Sequence, residues 1–153
     1  MIEPGQQAPP FTLRNVNKTE MSLEDFLGRK TVIKFIPFPF TGVCDGEVCL
    51  LRDNLTSLND LDANVVVITT TPLASNAAWA AQNGFEFPIL SDFWPHGEVA
   101  QAYGVFNEKA GAAVRATFIL DADGIVREVV YSPDLGTPRE FDDYTKALAS
   151  IGS

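Results

Sequence analysis

TVIKFIPFPFTGVC, residues 31–44, decides the fold. Its first six residues, TVIKFI, are apolar and β-branched and read as a strand. Pro37 and Pro39 end that strand, because each removes a backbone donor. From Gly42 the period changes. Apolar residues recur at Cys44, Val48, Leu51, Leu55 and Leu58, with the 4, 3, 4, 3 spacing of a helix face. The stretch is therefore a strand, a stiff loop, and a helix with a cysteine in its first turn.

Working outward, the elements alternate. FTLR at 11–14 is a short strand. Ser22 followed by Asp25 resembles a capping box and opens a short helix that ends near Gly28. NVVVITTT at 64–71 is the continuous apolar run of a strand buried on both faces. A helix around 73–83 ends at Gly84, FPIL at 87–90 is a strand, and a helix near 96–103 ends at Gly104. ATFIL at 116–120 and IVREVVY at 125–131 flank the turn Asp121-Ala122-Asp123-Gly124 and read as a hairpin. Pro138 opens a last helix with Phe141, Tyr144, Leu148 and Ile151 on one stripe. No repeat or linker interrupts the 153 residues, so one domain over 1–153 is expected. This order is the plan of an α/β protein of thioredoxin-like fold, with a central mixed sheet flanked by helices, an N-terminal extension and an insertion between 85 and 110.

Composition narrows the function classes. Hydrophobic residues are 46% and charged residues 20%, which excludes a disordered chain or a coiled coil. A net charge of −9 repels phosphates and anionic lipid, so neither nucleic acid nor membrane is expected as a partner. MIEPGQQAPPF at the start lacks a basic stretch followed by an apolar one, and the longest apolar runs are far too short to span a bilayer. The expected compartment is the reducing cytoplasm. There, two nearby cysteines point to redox chemistry or metal rather than stapling. Cys44 and Cys49 with the single histidine, His96, do not make a four-ligand zinc site, and no glycine-rich phosphate loop is present. No metal or cofactor is expected.

A helix start offers unpaired N–H groups and a favourable dipole, and both stabilise a thiolate at Cys44. Such positions lower a cysteine pKa from ~8.5 to roughly 3.5–7.5. Position alone also allows Cys44 to be a small buried hydrophobe on the helix stripe. Pro37, Thr41 and Cys44 form P-x-x-x-T-x-x-C. This motif resembles the peroxidatic-cysteine motif of the peroxiredoxins. GQQAPPFTL near the start, SDFWPHGEVAQAYGVFNEKAG at 91–111 and RATFILD at 115–121 extend the likeness over nearly the whole chain. It looks closest to the AhpE-type members.

The resemblance implies a thiol-dependent peroxidase for hydrogen peroxide and organic hydroperoxides, serving antioxidant defence. Cys44 would attack the peroxide and become a sulfenic acid. Thr41 would hold a peroxide oxygen, Pro37 would stiffen the loop, and Arg115 would be the supporting cation. If the strand at 116–120 runs antiparallel beside 31–36, its start lies next to the end of 31–36. Read without the family, Arg115 is a strand-end arginine pointing into solvent. Glu47 either orients that arginine or simply complements the helix dipole. Phe38 and Phe40 either line an apolar entrance or pack under the loop. His96, Trp79 and the Phe93-Trp94 pair are expected to serve structure and packing.

Cys49 departs from the AhpE pattern. A cysteine five residues after the first resembles the PrxQ or bacterioferritin-comigratory type, in which it resolves the sulfenic acid as a disulfide. It also reads as a boundary residue off the apolar stripe. In an intact helix the two Cα atoms would be roughly 8.7 Å apart, beyond the ~6.8 Å a disulfide tolerates, so resolution requires the first turns to open. A resolving Cys49 points to a thioredoxin as reductant, and a one-cysteine cycle to mycoredoxin or mycothiol. The aromatic loops at 38–40 and 93–94 suggest a homodimer. A thioredoxin-type disulfide oxidoreductase is the competing enzyme, against which the absence of C-x-x-C counts. A non-enzymatic thiol sensor on the same fold is the other alternative.

Overall fold

The computed structural model describes residues 1–40, 48–49, 51–55, 58 and 63–132. Strands β3 (Lys30–Phe35), β4 (Ala63–Thr69) and β5 (Ile89–Ser91) run parallel, with Val32 beside Val65 and Val67 beside Ile89. On the other side of β3 lies β8 (Arg115–Leu120), antiparallel, and beyond it β9 (Val126–Ser132). At the opposite edge β1 (Thr12–Arg14) pairs antiparallel with β5 through Arg14 and Ser91, and β2 (Glu20–Ser22) pairs with β1. The result is a seven-stranded mixed sheet in the order β2-β1-β5-β4-β3-β8-β9. A separate two-stranded piece joins β6 (Phe106–Asn107) to β7 (Ala112–Ala113).

Of the helices expected on the faces, those after Gly42, around 73–83 and near 96–103 appear among the described residues. Residues 48, 49, 51–53, 55 and 58 are helical. Helix α1 (Leu73–Asn83) stops at Gly84, whose φ of 66° is the left-handed conformation that ends a helix at no steric cost. Helix α2 is Glu98–Ala102, shorter than the 96–103 expected, because Pro95 and the left-handed Gly97 hold the preceding backbone out of the helical region. The Ser22 box is present as well. Asp25 Oδ2 accepts from Ser22 N at 2.8 Å, but the turn it opens is a 3₁₀ turn over Leu23–Phe26. The short strands β2, β6 and β7 escaped the sequence reading, since two or three residues are too few to show a period. The last expected helix, from Pro138, lies outside the described residues.

Period-two alternation along β3 feeds two cores. Val32 and Ile36 join Val48, Leu51, Leu58, Val67, Trp79 and Ile119 on one face. Ile33 and Phe35 join Phe11, Phe26, Ile68, Tyr103 and Phe118 on the other. Each fully buried aliphatic or aromatic side chain contributes roughly 1.5–3 kcal/mol, so β3 is a rigid central beam. Its end sets where the loop from Pro37 begins.

Candidate active site

β3 and β8 together place the site. The register puts Thr31 opposite Leu120 and Phe35 opposite Ala116, so Ile36 stands at the level of Arg115. One further rung, Ile36 N to Ile68 O at 3.2 Å, holds the end of β3 against β4. Pro37 follows and is buried. The antiparallel pairing on which that expectation depended is present, so the start of β8 adjoins the end of β3. The solvent-facing reading of Arg115 is overturned: the residue is 2% exposed. Arg115, Thr117 and Ile119 share one face of β8. Ile119 packs in the core that holds Val48 and Leu51, so Arg115 lies on the sheet face covered by the helix after the Pro37 loop.

Thr41, Cys44 and Glu47 fall outside the described residues. Cys49 is half-buried and helical, off the buried line of Val48, Leu51 and Leu58, as expected of a boundary position. Its Sγ lies 3.8 Å from Asn83 Oδ1 at the end of α1.

Phe38 and Phe40 do not pack under the loop. They are 39% and 49% exposed, while Pro37 and Pro39 turn inward. Phe40 has a φ of 64°, a left-handed conformation unusual for a bulky residue. Phe93 and Trp94 were expected to pack as well, yet they are 43% and 82% exposed. They follow the end of β5, which runs parallel to β3 with β4 between them. The four aromatics therefore occupy one rim of the sheet. A groove of about 470 Å³, lined by Arg14, Glu20, Leu73 and the Phe93-Trp94 pair, opens beside them.

Trp79 and His96 behave as packing and bracing residues. Trp79 is fully buried against Phe85. His96 Nε2 lies 2.7 Å from Gly111 O, its Nδ1 lies 3.1 Å from Phe93 O, and its ring sits edge-on to Phe93 and Phe106. Asp92 supports the same segment by accepting from Val99 N and Ala100 N at the start of α2. Burial pushes its carboxyl above the usual carboxylate range, against the pull of those two N–H groups.

Two polar groups near the site went unread. Lys34 is fully buried, and its Nζ donates to Thr117 Oγ1 at 3.4 Å, one row from Arg115. A lysine inside a β-branched strand was the available signal. Asn76 on α1 accepts from Thr69 and Thr71 hydroxyls at 2.8 Å each, and its Nδ2 is buried with no hydrogen-bond partner among the described residues. Its signal was weaker, a polar residue on the inner stripe of α1 beside the TTT end of β4. Among the described residues no group of His, Cys, Asp and Glu could hold a metal ion.

Comparison with known proteins agrees with this frame. The model of the AhpC/TSA family matches residues 4–129. The chain belongs to the AhpC/TSA family. It is a peroxiredoxin, a thiol-dependent peroxidase by class. Its sequence is 44% identical to alkyl hydroperoxide reductase E of Mycobacterium bovis over 99% of both chains. Among solved structures, the peroxidoxin BcpB of Mycobacterium tuberculosis superposes with a TM-score of 0.89 at 28% identity, covering 100% of both chains. The Enterococcus faecalis AhpC gives 0.88 at 27% identity, over 98% of this chain and 92% of that one. The thioredoxin-like fold expected from the element order is the fold of these AhpC/TSA relatives. No helix among the described residues is long and apolar enough to cross a membrane.

Proposed function

We propose that the chain reduces hydrogen peroxide and organic hydroperoxides through Cys44. The Cys44 thiolate attacks one peroxide oxygen, the O–O bond breaks, and water or an alcohol leaves once protonated. The sulfur is left as a sulfenic acid. Thr41 and the Cys44 N–H hold the peroxide oxygens, Pro37 stiffens the loop, and Glu47 orients Arg115. Arg115 supports both the thiolate and the charge that develops as the O–O bond opens. One observation carries this reading: an arginine buried at the head of β8, level with the end of β3 and on the face of the helix that follows. A cation held out of water at that place acts more strongly on negative charge that develops nearby than it would in solvent.

Cys49 is read as the resolving thiol, which makes a thioredoxin the reductant. A cycle through Cys44 alone would draw on mycoredoxin or mycothiol. Either donor belongs in the reducing cytoplasm. The four exposed aromatics on one rim, Phe38, Phe40, Phe93 and Trp94, support pairing of two copies of the chain there.

Cys44→Ser tests the core of the proposal. It is expected to abolish peroxide consumption while leaving the circular dichroism spectrum intact, since only a thiolate is nucleophilic enough at neutral pH. Fast peroxide reduction by this variant would refute it. Light scattering at micromolar protein checks the pairing, for which a dimer mass is expected and a monomer mass would rule it out.

A further inference from the structure

β3 carries a lysine at a core position. Val32, Lys34 and Ile36 point to one face of the sheet, because side chains alternate along a strand. Val32 and Ile36 pack there with Val48, Leu51, Leu58, Val67 and Ile119. Lys34 stands level with Val67 on β4 and Thr117 on β8, and it is fully buried. Its Nζ donates to the Thr117 hydroxyl at 3.4 Å, so the ammonium leans onto the strand that begins with Arg115. Arg115 lies two residues before Thr117 on the same face, diagonal to Lys34, which sets the two residues about 7–8 Å apart at the backbone.

Among the described residues, the charged groups sharing this face of β3, β8 and β9 are Lys30 at the start of β3, Lys34, Arg115 and Glu128. Lys34 and Arg115 are buried, Lys30 is half-buried and Glu128 is exposed. β4 brings Val65 and Val67 to the face, and α1 brings Trp79 and contains no charged residue. The covering helix brings Val48, Leu51 and Leu58, while its Arg52–Asp53 pair, at 2.9 Å, is partly exposed. Packing gives no reason for a charge at Lys34. Replacing a buried charge by an apolar side chain of similar volume is often neutral or stabilising, and the positions around it are apolar. What the ammonium supplies is a positive field where water is excluded and a charge acts over a longer range. Val48, four residues after Cys44 in the chain, packs on this same face.

We propose that Lys34 is a second cation of the peroxide site, acting with Arg115 to favour the Cys44 thiolate and the charge that develops as the O–O bond opens. The proposal rests on the reading of Cys44 as the nucleophile. The two cations differ in reach. Arg115, level with the end of β3, presents a planar fork, whereas Lys34, one row deeper, adds a point charge that acts through space. Thr117 is its positioning partner, since the hydroxyl fixes the end of a flexible four-carbon stem.

The Cys49→Ser protein carries Cys44 as its sole thiol, which isolates the effect. Thiolate absorbance is followed from pH 4 to 10, and the reaction with one equivalent of hydrogen peroxide is followed by stopped flow. Lys34→Met in that background removes the charge and keeps an unbranched side chain. The Cys44 midpoint is expected to rise by about 1 unit, and the peroxide rate above the midpoint to fall about 5-fold. Thr117→Val, which removes the anchor and keeps the shape, should move the midpoint the same way by less, and it decides the matter if the Met variant does not fold. Salt at about 1 M should leave the Cys49→Ser midpoint nearly fixed, because buried charges are screened little. A folded Lys34→Met protein with changed urea stability and an unmoved midpoint has lost packing alone and overturns the proposal. So does a parent midpoint that climbs with salt, which would assign the field to surface charge. A Cys49→Ser parent that forms no sulfenic acid with peroxide overturns the reading of Cys44 itself, and the proposal with it.

Discussion

The two ends of β8 are built by different means. At its far end Asp121 closes the turn to β9 almost alone. Its Oδ1 accepts from Asp123 N at 2.9 Å and Ile125 N at 3.0 Å, its Oδ2 accepts from Arg127 Nε at 2.7 Å, and Gly124 supplies the left-handed residue at φ 85°. All these groups lie within six residues of one another. At the near end, Arg115 gets its setting from β3, some eighty residues earlier in the chain, and from the helix after it. The turn carries a satisfied carboxylate at the protein's edge. The strand start carries a buried cation level with the end of β3. Local chemistry makes a turn, whereas a site for charged chemistry needs distant segments to exclude water around it.

Substitution at each end should separate the two. Arg115→Ala is expected to slow the peroxide step by about 100-fold and to raise the Cys44 thiol pKa, with Arg115→Lys falling between, because a point charge replaces a planar fork. Stopped-flow mixing with peroxide and thiolate absorbance against pH would measure both. A wild-type rate in the Ala variant would transfer the role to another cation and erase the contrast. The smaller effect belongs to Asp121→Asn, which should leave the peroxide rate alone and lower stability by about 1–2 kcal/mol at pH 7 in urea unfolding.

Acid sharpens the second prediction. Burial alone would raise the Asp121 carboxyl, but the Ile125 and Asp123 N–H groups and Arg127 outweigh it and hold it below the ordinary value. A depressed folded pKa means that the stabilisation is present above the unfolded value of ~3.9 and is lost as pH falls through the folded one. The stability gap between wild type and Asp121→Asn should therefore narrow below about pH 4. A gap independent of pH would show that the charge of Asp121 contributes nothing to the turn.

Much of the molecule could be read from its residues in order. Periodicity exposed β3, β4, α1 and the β8–β9 hairpin, since each is long enough to display a period and is bounded by Pro, Gly or Asp-Gly chemistry. β2, β6 and β7 were illegible because they exist only through their partners. Cys49 was visible as a boundary residue on a helix, but nothing in the string says that Asn83 would meet it.

The chain by itself determined the motif around Cys44, the order of elements and the turn at Asp121, all of which follow from residues a few positions apart. Only the tertiary structure decided that Arg115 is buried rather than solvated, that Lys34 stands one row away from it, and that Phe38, Phe40, Phe93 and Trp94 share one exposed rim. The physical reason is that burial belongs to the whole fold. A side chain's dielectric surroundings depend on which distant strands and helices cover it, and sheet register sets that cover across many tens of residues.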